Sequence, residues 1–329
     1  MDRHPPSAPM LTRLSSSSLP VEQFRADLHA ICGSFQVHPS TGRNHLRGAV
    51  AHESRGGFEF AHVAKDAQCI RRDRSDIARD SAEHFFLIVQ EEGSALMSQR
   101  ESVRMLRPGD LMLIDSTDPS EFTFFGNYSR QLSVHMPRTE LKRRFGDALR
   151  GGLFMPRTDH TALAIIAVLA KTFEPSNNHQ QTSYLGEAMF GLLGSMLYAG
   201  GTPARHINAD VGNARLLERA VSYIDAHHTD CELTVNRMAS DLKVSSRQLQ
   251  RTFTALDITP TEYLLQKRLA SACQALKQKR ITESKTLIST IAFSAGFNDL
   301  SYFNRLFRAT FNCTPGQYDD ACVVADPGH

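Results

Sequence analysis

Two stretches near the C-terminal end of the sequence combine arginine with serine, asparagine or glutamine at the spacing of one helix face. These polar residues are Arg247, Gln250 and Arg251 in the first stretch, and Ser301, Asn304, Arg305 and Arg308 in the second. In the major groove of duplex DNA, arginine matches the two acceptors of guanine, and asparagine or glutamine matches adenine. The residue types and their spacing therefore indicate a surface that reads DNA bases.

Apolar residues on the opposite side of each stretch predict how these helices are held. Phe303, Phe307 and Phe311 recur every four residues, which places them on one face of a helix. Leu249 and Phe253 have the same relation in the first stretch. We interpret these apolar faces as core, so the polar residues lie on the outer face.

The two stretches are copies of one longer pattern. Residues 238–263 align with residues 291–318 when Ala239 is set on Ala292, 53 residues further along the chain. Each copy contains a small alanine, a turn, a helix with Arg-x-Phe and an exit with Thr-Pro-x-x-Tyr. One copy alone fits an ordinary solvated helix equally well, but two matched copies favour a pair of helix-turn-helix units.

The turns and helix ends of the two copies also follow from local residue types. Gly296 supplies a positive φ at the second turn, and Lys243 must do so at the first with less ease. Asp257 and Asn312 stand where each helix stops, and both residue types tolerate the left-handed conformation. We therefore expect a sharp turn before each polar helix and a defined stop after it.

Capping residues mark where new helices begin. Segment 245–248 fits a capping box at the start of the first polar helix, and Asn298 or Asp299 can cap the second. Segments 259–262 and 314–317 each have threonine at the N-cap, proline at the first helical position and Glu or Gln at the third. A new helix is predicted to start at each of these two segments.

Composition limits the overall organisation. With 329 residues, 41% of them hydrophobic, the chain can build two domains with separate cores. Residues 215–318 hold 14 basic and 9 acidic side chains, whereas residues 1–214 hold 23 of each, and a local positive excess suits a polyanion. No stretch fits a membrane span or a secretory signal, and the six cysteines form no CxxC pair. We expect a cytoplasmic protein with reduced thiols and no membrane partner.

The C-terminal hundred residues resemble the AraC/XylS family of bacterial transcription regulators. The pattern A-x3-GF-x4-YF-x-R-x-F-x3-F-x2-TP-x2-Y runs from Ala292 to Tyr318. The resemblance implies a domain with two helix-turn-helix units joined by a long helix, which would be residues 262–278 here. Asp257 and Asn312 replace the usual glycines, and Asp319 stands where an arginine often follows the tyrosine.

The polar faces, the helix starts and the resemblance together give one set of candidate DNA-binding residues. They are Ser245, Ser246, Arg247, Gln250, Arg251, Asn298, Asp299, Ser301, Tyr302, Asn304, Arg305 and Arg308.

The first two thirds of the chain predict a different fold. Short alternating runs rich in Phe, Val and Ile, broken by glycine and proline, extend from about residue 45 to Pro137. Runs of this kind are typical of a small antiparallel barrel or sandwich. Two apolar helical segments follow, at 160–173 and 182–199. Such a pair either packs on its own domain or forms a dimer seam.

This strand-rich region, with RPGDLMLID at 107–115, resembles the cupin-like sensor domains of the same family. The resemblance implies an effector-responsive regulator, an activator of a catabolic operon. Its partners would be double-stranded DNA, a small organic effector, a second copy of the chain as a homodimer, and RNA polymerase, with no cofactor. The effector-binding residues are not identified, because Phe58, Phe60, Phe86 and Ile88 could line a pocket, although filling the barrel is the favoured interpretation.

Two alternative functions lack their residues in this sequence. A metal-dependent cupin enzyme needs clustered His-x-His and a later histidine, but His84 precedes two phenylalanines and Met112 stands near the later position. A methyl-transferring DNA-repair protein needs several clustered cysteines, and only Cys32 and Cys69 precede residue 200. We therefore expect neither an enzyme nor a metal site.

The predicted fold class is α+β. We expect a disordered lead at 1–20 and, at 21–199, a cupin-like β-barrel domain with a helical hairpin that binds the effector and dimerises. A linker follows at 200–213, and the all-α domain with two helix-turn-helix units occupies 214–321.

Overall fold

The computed structural model describes residues 14–40, 44–81, 83–146, 149–175, 177–198, 204–256, 258–282 and 284–318. The chain divides after Ala214 into two compact units, an N-terminal unit and a C-terminal unit. The N-terminal unit contains all the strands described here together with helices, and the C-terminal unit is helical. The predicted α+β class is thereby confirmed.

The N-terminal unit is built from twelve strands and five helices within the described residues. The strands are β1 (Ser17–Pro20), β2 (Gln36–His38), β3 (His45–Arg55), β4 (Phe58–Lys65), β5 (Cys69–Arg72), β6 (His84–Glu92), β7 (Ala95–Gln99), β8 (Ser102–Leu106), β9 (Leu111–Asp115), β10 (Ser120–Thr123), β11 (Ser129–Pro137) and β12 (Leu153–Met155). The helices are α1 (Val21–Cys32), α2 (Arg74–Ile77), α3 (Arg138–Phe145), α4 (His160–Thr172) and α5 (His179–Tyr198).

The strands form two antiparallel sheets. The larger sheet has seven strands in the order β1-β3-β4-β11-β6-β9-β12, and the smaller has five in the order β2-β5-β10-β7-β8. The sequence pattern predicted β3, β4, β6, β8, β9, β10 and β11, but it missed β1, β2, β5, β7 and β12. The missed strands are three to five residues long, so each offers few positions for an alternating pattern.

The larger sheet is buried on both faces, and alternate residues of β6 show how. Phe85 and Leu87 belong to an apolar cluster that includes residues of α4 and α5. Phe86 and Ile88 belong to a second cluster, which joins this sheet to α1 and to the smaller sheet. Since successive side chains of a strand point to opposite faces, one strand supplies both cores.

The helical hairpin packs on its own unit. Ile165 and Leu169 of α4, and Leu193 of α5, are fully buried in the cluster shared with the larger sheet. Two large apolar side chains of the hairpin are nevertheless exposed. Leu163 is 50% exposed and Tyr184 is 69% exposed.

Two expected boundaries differ from the structure. The predicted disordered lead extends to residue 20, but Ser17–Pro20 pair with β3 as a strand. Residues 1–13 lie outside the described residues. The predicted linker at 200–213 is helical from Ala204 onward, because α6 (Ala204–His227) begins there.

The C-terminal unit contains part of the long helix α6, a second long helix and several short helices. After α6 come α7 (Val235–Asp241), α8 (Ser246–Phe253), a short 3-10 helix (Thr254–Leu256), α9 (Pro260–Ile281), α10 (Ile288–Ser294) and α11 (Leu300–Phe311). The long helix α9 begins with the predicted capping box, in which Thr259 and Glu262 each accept a hydrogen bond from the other's backbone N–H. The Leu269 and Leu276 side chains of α9 pack with Phe303 and Phe307.

Within the described residues, no helix is long and apolar enough to cross a membrane.

Gly296 provides a test of how this unit folds. A Cβ atom at this position would lie 2.3 Å from the His228 carbonyl oxygen, and φ is +92°. We expect Gly296→Ala to lower the free energy of unfolding by roughly 2 kcal/mol or more, since strain and overlap combine. Gly316→Ala is the matched control, because a Cβ there meets nothing within 4 Å. Denaturant unfolding measures the free energy of unfolding of both variants. Equal values would contradict the expected strain and overlap at position 296.

Candidate nucleic-acid interface

The first helix-turn-helix unit consists of α7, a short turn and α8. Lys243 has φ of +58°, so the predicted positive φ is confirmed. The Val244 N–H donates to the Ala239 carbonyl at 2.9 Å and closes the turn. The Ser245 hydroxyl then accepts from the Gln248 N–H at 3.1 Å and starts α8, which is the first half of the predicted capping box.

The second unit, made of α10 and α11, repeats this backbone pattern. The Phe297 N–H donates to the Ala292 carbonyl at 3.1 Å, which matches the bond between Val244 and Ala239 in the first unit. Asp299 caps α11 by accepting from the Tyr302 N–H at 2.8 Å. The two copies therefore share the turn hydrogen bond at aligned positions, whereas the helix cap lies one residue later in the second copy, at Asp299.

Helix α11 is held by aromatic contacts on one face. Phe303 and Phe307 are fully buried, with ring centroids 5.5 Å apart. Tyr318, from the Thr-Pro-x-x-Tyr exit, lies 5.4 Å from Phe307 in an edge-to-face arrangement. Helix α8 is held in the same way by Leu249 and Phe253, both fully buried. These contacts fix which side of each helix faces outward.

The outer faces carry the polar side chains that the sequence predicted. The exposed candidates are Arg247, Gln250, Arg251, Asn298, Ser301, Asn304, Arg305 and Arg308. Tyr302 is half-buried, and the Arg305 guanidinium lies 5.6 Å from its ring centroid. Ser246 is half-buried as well, and its hydroxyl donates to Asn236 Oδ1 at 2.7 Å. Ser245 and Asp299 are exposed but act as helix caps.

The arginines of the C-terminal unit fall into two groups by their internal contacts. Arg268 is buried and donates to the backbone carbonyls of His228 at 2.9 Å and Asp230 at 2.7 Å. Its burial lowers the pKa of its guanidinium below the usual value. In the part of the chain that the structure describes, Arg251 and Arg305 have neither an ion pair nor a side-chain hydrogen bond. Their guanidinium groups are thus available to an outside partner.

The helix exits agree with the sequence in part. Asn312 ends α11 in the left-handed conformation, with φ of 54°, as predicted. Asp257, the predicted stop in the first copy, lies outside the described residues. A helix was predicted to start at Thr314, but residues 315–317 form only a turn in the described part, closed by the Gln317 N–H and the Thr314 carbonyl at 2.9 Å.

The N-terminal unit contains a cavity that sequence reasoning did not identify. Its polar lining residues are Cys32, Lys65, Gln131 and Ser133, and its walls include Phe86 and Ile88. The sequence favours Phe86 and Ile88 as residues that fill the barrel core, but in the structure they line this cavity. Phe58 and Phe60 belong to the other face of the sheet, in the cluster with α4 and α5. A lysine within an apolar strand, at the end of FEFAHVAK, was the available signal.

In the described part of the N-terminal unit, no three His, Cys, Asp or Glu side chains are grouped as metal ligands. Burial and the neighbouring His84 and His52 lower the pKa of His135 to about 3. His135 is therefore a neutral side chain inside the sheet at ordinary pH.

Two family models cover most of the chain. Residues 24–198 match the model described as an AraC-binding-like domain. Residues 238–321 match a helix-turn-helix domain model. The chain belongs to the AraC family of transcription regulators. The predicted cupin-like sensor domain and double helix-turn-helix domain are confirmed by these matches together with the observed fold.

Individual relatives of this AraC-family chain are named as regulators. The transcriptional activator NphR of a Rhodococcus species is 25% identical over 279 residues, which cover 80% of this chain and 78% of NphR. The HTH-type transcriptional regulator CdhR of Pseudomonas aeruginosa is 36% identical over 91 residues, covering 27% of this chain and 26% of CdhR. The crystal structure of the AraC-like transcriptional activator CuxR superimposes with a TM-score of 0.47 at 13% identity, covering 85% of this chain and all of that one. The family and its regulators make this chain a DNA-binding transcriptional regulator.

The two groups of arginines predict opposite results in a stability measurement. Arg268→Met leaves two backbone carbonyls without their donor, so we expect a loss of about 1–3 kcal/mol in the free energy of unfolding. Arg305→Met removes no internal hydrogen bond and should change that free energy by less than about 0.5 kcal/mol. Thermal unfolding of the two variants tests the distinction. A similar loss in both would show that Arg305 is structural.

Proposed function

We propose that the regulator reads two successive major-groove segments, one with α8 and one with α11. The observation that carries this proposal is the pair of matched arginines, Arg251 and Arg305, which are exposed on corresponding faces and have no ion pair or side-chain hydrogen bond within the described residues. An arginine without an internal partner keeps all five N–H donors for a bidentate contact with guanine.

The remaining candidates have different roles in this proposal. Gln250 and Asn304 precede the two arginines and would contact neighbouring adenines. Arg247, Ser301 and Arg308 lie at the ends of the polar faces and would contact phosphates. Ser245, Ser246, Asn298, Asp299 and Tyr302 lie at the helix starts, where backbone N–H groups favour a phosphate.

Base selection tests the assignment of the two arginines. Arg305→Ala should cost ~1–3 kcal/mol of binding and relax the preference at one base in one segment. Arg251→Ala should act in the same way on the other segment, about 10 bp away. Selection of sites from random DNA with the full chain and each variant makes the measurement.

An unselective effect would overturn this assignment. If both substitutions weaken all sequences equally, the arginines contact phosphates and do not read bases. Lys171→Ala is a suitable control, because Lys171 pairs with Glu174 in the N-terminal unit and should leave selection unchanged.

We further propose that the protein is a cytoplasmic activator that responds to a small organic effector bound in the N-terminal unit. NphR, which is similar over most of the chain, is named a transcriptional activator. Effector binding would shift the population between states that differ in DNA binding or in contact with RNA polymerase. We propose a catabolic operon as its target.

The exposed side of the α4 and α5 hairpin supports a homodimer. Leu163 on α4 and Tyr184 on α5 are half or more exposed, and a second copy is the partner that we propose for them. A second copy of the chain would bury them at a two-fold interface.

Charge placed on this surface should separate the subunits. We expect Leu163→Glu and Tyr184→Glu to convert a dimer at micromolar concentration into a monomer, because each would bury a carboxylate. Phe293→Glu is the matched control, since Phe293 is 52% exposed but lies in the C-terminal unit. Sedimentation of the unsubstituted chain and the three variants measures the oligomeric state. A monomeric unsubstituted chain would contradict the proposed dimer.

A further inference from the structure

Lys65 is a buried cation in an apolar cavity. Its side chain has no exposed surface, and its Nζ lies 4.2 Å from the centroid of the Phe124 ring. Nζ donates one hydrogen bond, to Gln131 Oε1 at 2.6 Å. Among the residues that the structure describes, no carboxylate forms an ion pair with Lys65. A buried ammonium without a counter-ion is unfavourable, so an anion that enters the cavity gains a strong interaction.

The neighbouring amides are oriented to support a positive charge. Gln90 donates through Nε2 to the Glu92 carbonyl at 2.7 Å and to Ser129 Oγ at 2.9 Å. Its Oε1 therefore faces Gln131 and accepts from Gln131 Nε2 at 2.8 Å. This leaves Gln131 Oε1 directed at Lys65. Two of the three N–H groups of the ammonium remain for a ligand.

The rest of the cavity selects against large or highly polar ligands. Its volume is about 50 Å³, about a third of the roughly 150 Å³ cavity that holds benzene. The aromatic walls include Phe35, Phe86, Phe122 and Phe124, and a space of this size beside them suits a short alkyl group. A single cation matches a single negative charge, so a monocarboxylate fits better than a phosphate or a dicarboxylate.

We propose that the cavity binds a small monocarboxylate, with its carboxylate paired to Lys65 and its short alkyl part against the phenylalanines. This deepens the proposed effector response and rests on it. Both oxygens of the carboxylate can accept the two N–H groups that Gln131 leaves unused. Burial supports the arrangement, because it lowers the pKa of free Lys65 to about 7. A bound carboxylate raises that pKa again, since it favours the charged form.

The test measures binding of acetate, propionate and isobutyrate to the full chain by calorimetry and thermal shift. The corresponding amides are matched neutral ligands. We expect at least one acid to bind and to raise the melting temperature, with its amide at least about tenfold weaker. The acids should bind the Lys65→Met variant no more tightly than the corresponding amides do. In Lys171→Met, a control at an exposed lysine, binding should not change.

The pH dependence separates a paired ammonium from a merely apolar pocket. The acids are ionised throughout pH 6–9, while free Lys65 loses its proton above about pH 7. The Cys32 thiol in the same cavity stays protonated over this range, because burial raises its pKa to about 12. Their affinity should therefore fall by up to about tenfold per pH unit above that value, and the amides should show no such fall. The fold should tolerate Lys65→Met, because it removes an uncompensated buried charge.

Three results would overturn the inference. They are binding of no acid at about 10 mM, equal binding of acid and amide, and unchanged acid binding in Lys65→Met. If no acid binds but borohydride traps an aldehyde on Lys65, then Lys65 forms an imine with a carbonyl ligand. That result would also overturn the proposed carboxylate site. DNA binding is measured on the same samples. If acids bind at Lys65 but leave DNA binding unchanged, the effector response fails while the carboxylate site stands.

Discussion

One backbone constraint governs the DNA-binding unit: the residue between the two helices of each helix-turn-helix must hold a positive φ. Gly296 does so freely at +92°, and Lys243 does so at +58° with steric cost. The turn reverses the chain within a few residues, so the second helix buries its apolar face against the unit. Burial of Phe303 and Phe307 on that face then leaves Arg305 on the outer face. The exposure of the arginine follows from the turn and the buried aromatic face together.

The N-terminal unit depends on a different constraint, the burial of one sheet on both faces. A sheet with helices on one side and a second sheet on the other excludes water from both cores. A cation such as Lys65 in this setting is stable only with hydrogen-bond acceptors or an anion beside it. Its amide partners therefore give the cavity a chemical preference that its apolar walls alone would not supply.

The sequence was informative where the determinants are local. The turn at Gly296, the cap at Asp299 and the left-handed stop at Asn312 each depend on a few neighbouring residues. The contact between Lys65 and Gln131 joins positions 66 residues apart and depends on strand register. Phe58 and Phe86 look alike in the sequence but lie on opposite faces of the sheet, and only the pairing of strands decides this.

The central claim is that both polar helices enter the major groove. Methylation of guanine N7 by dimethyl sulfate reports directly on that groove, because N7 lies on its floor and is covered by a bidentate arginine. With the full chain bound to a selected site, this account predicts two protected clusters on one side of the duplex, about 10 bp apart. A single protected cluster, or protection confined to the minor groove, would contradict it.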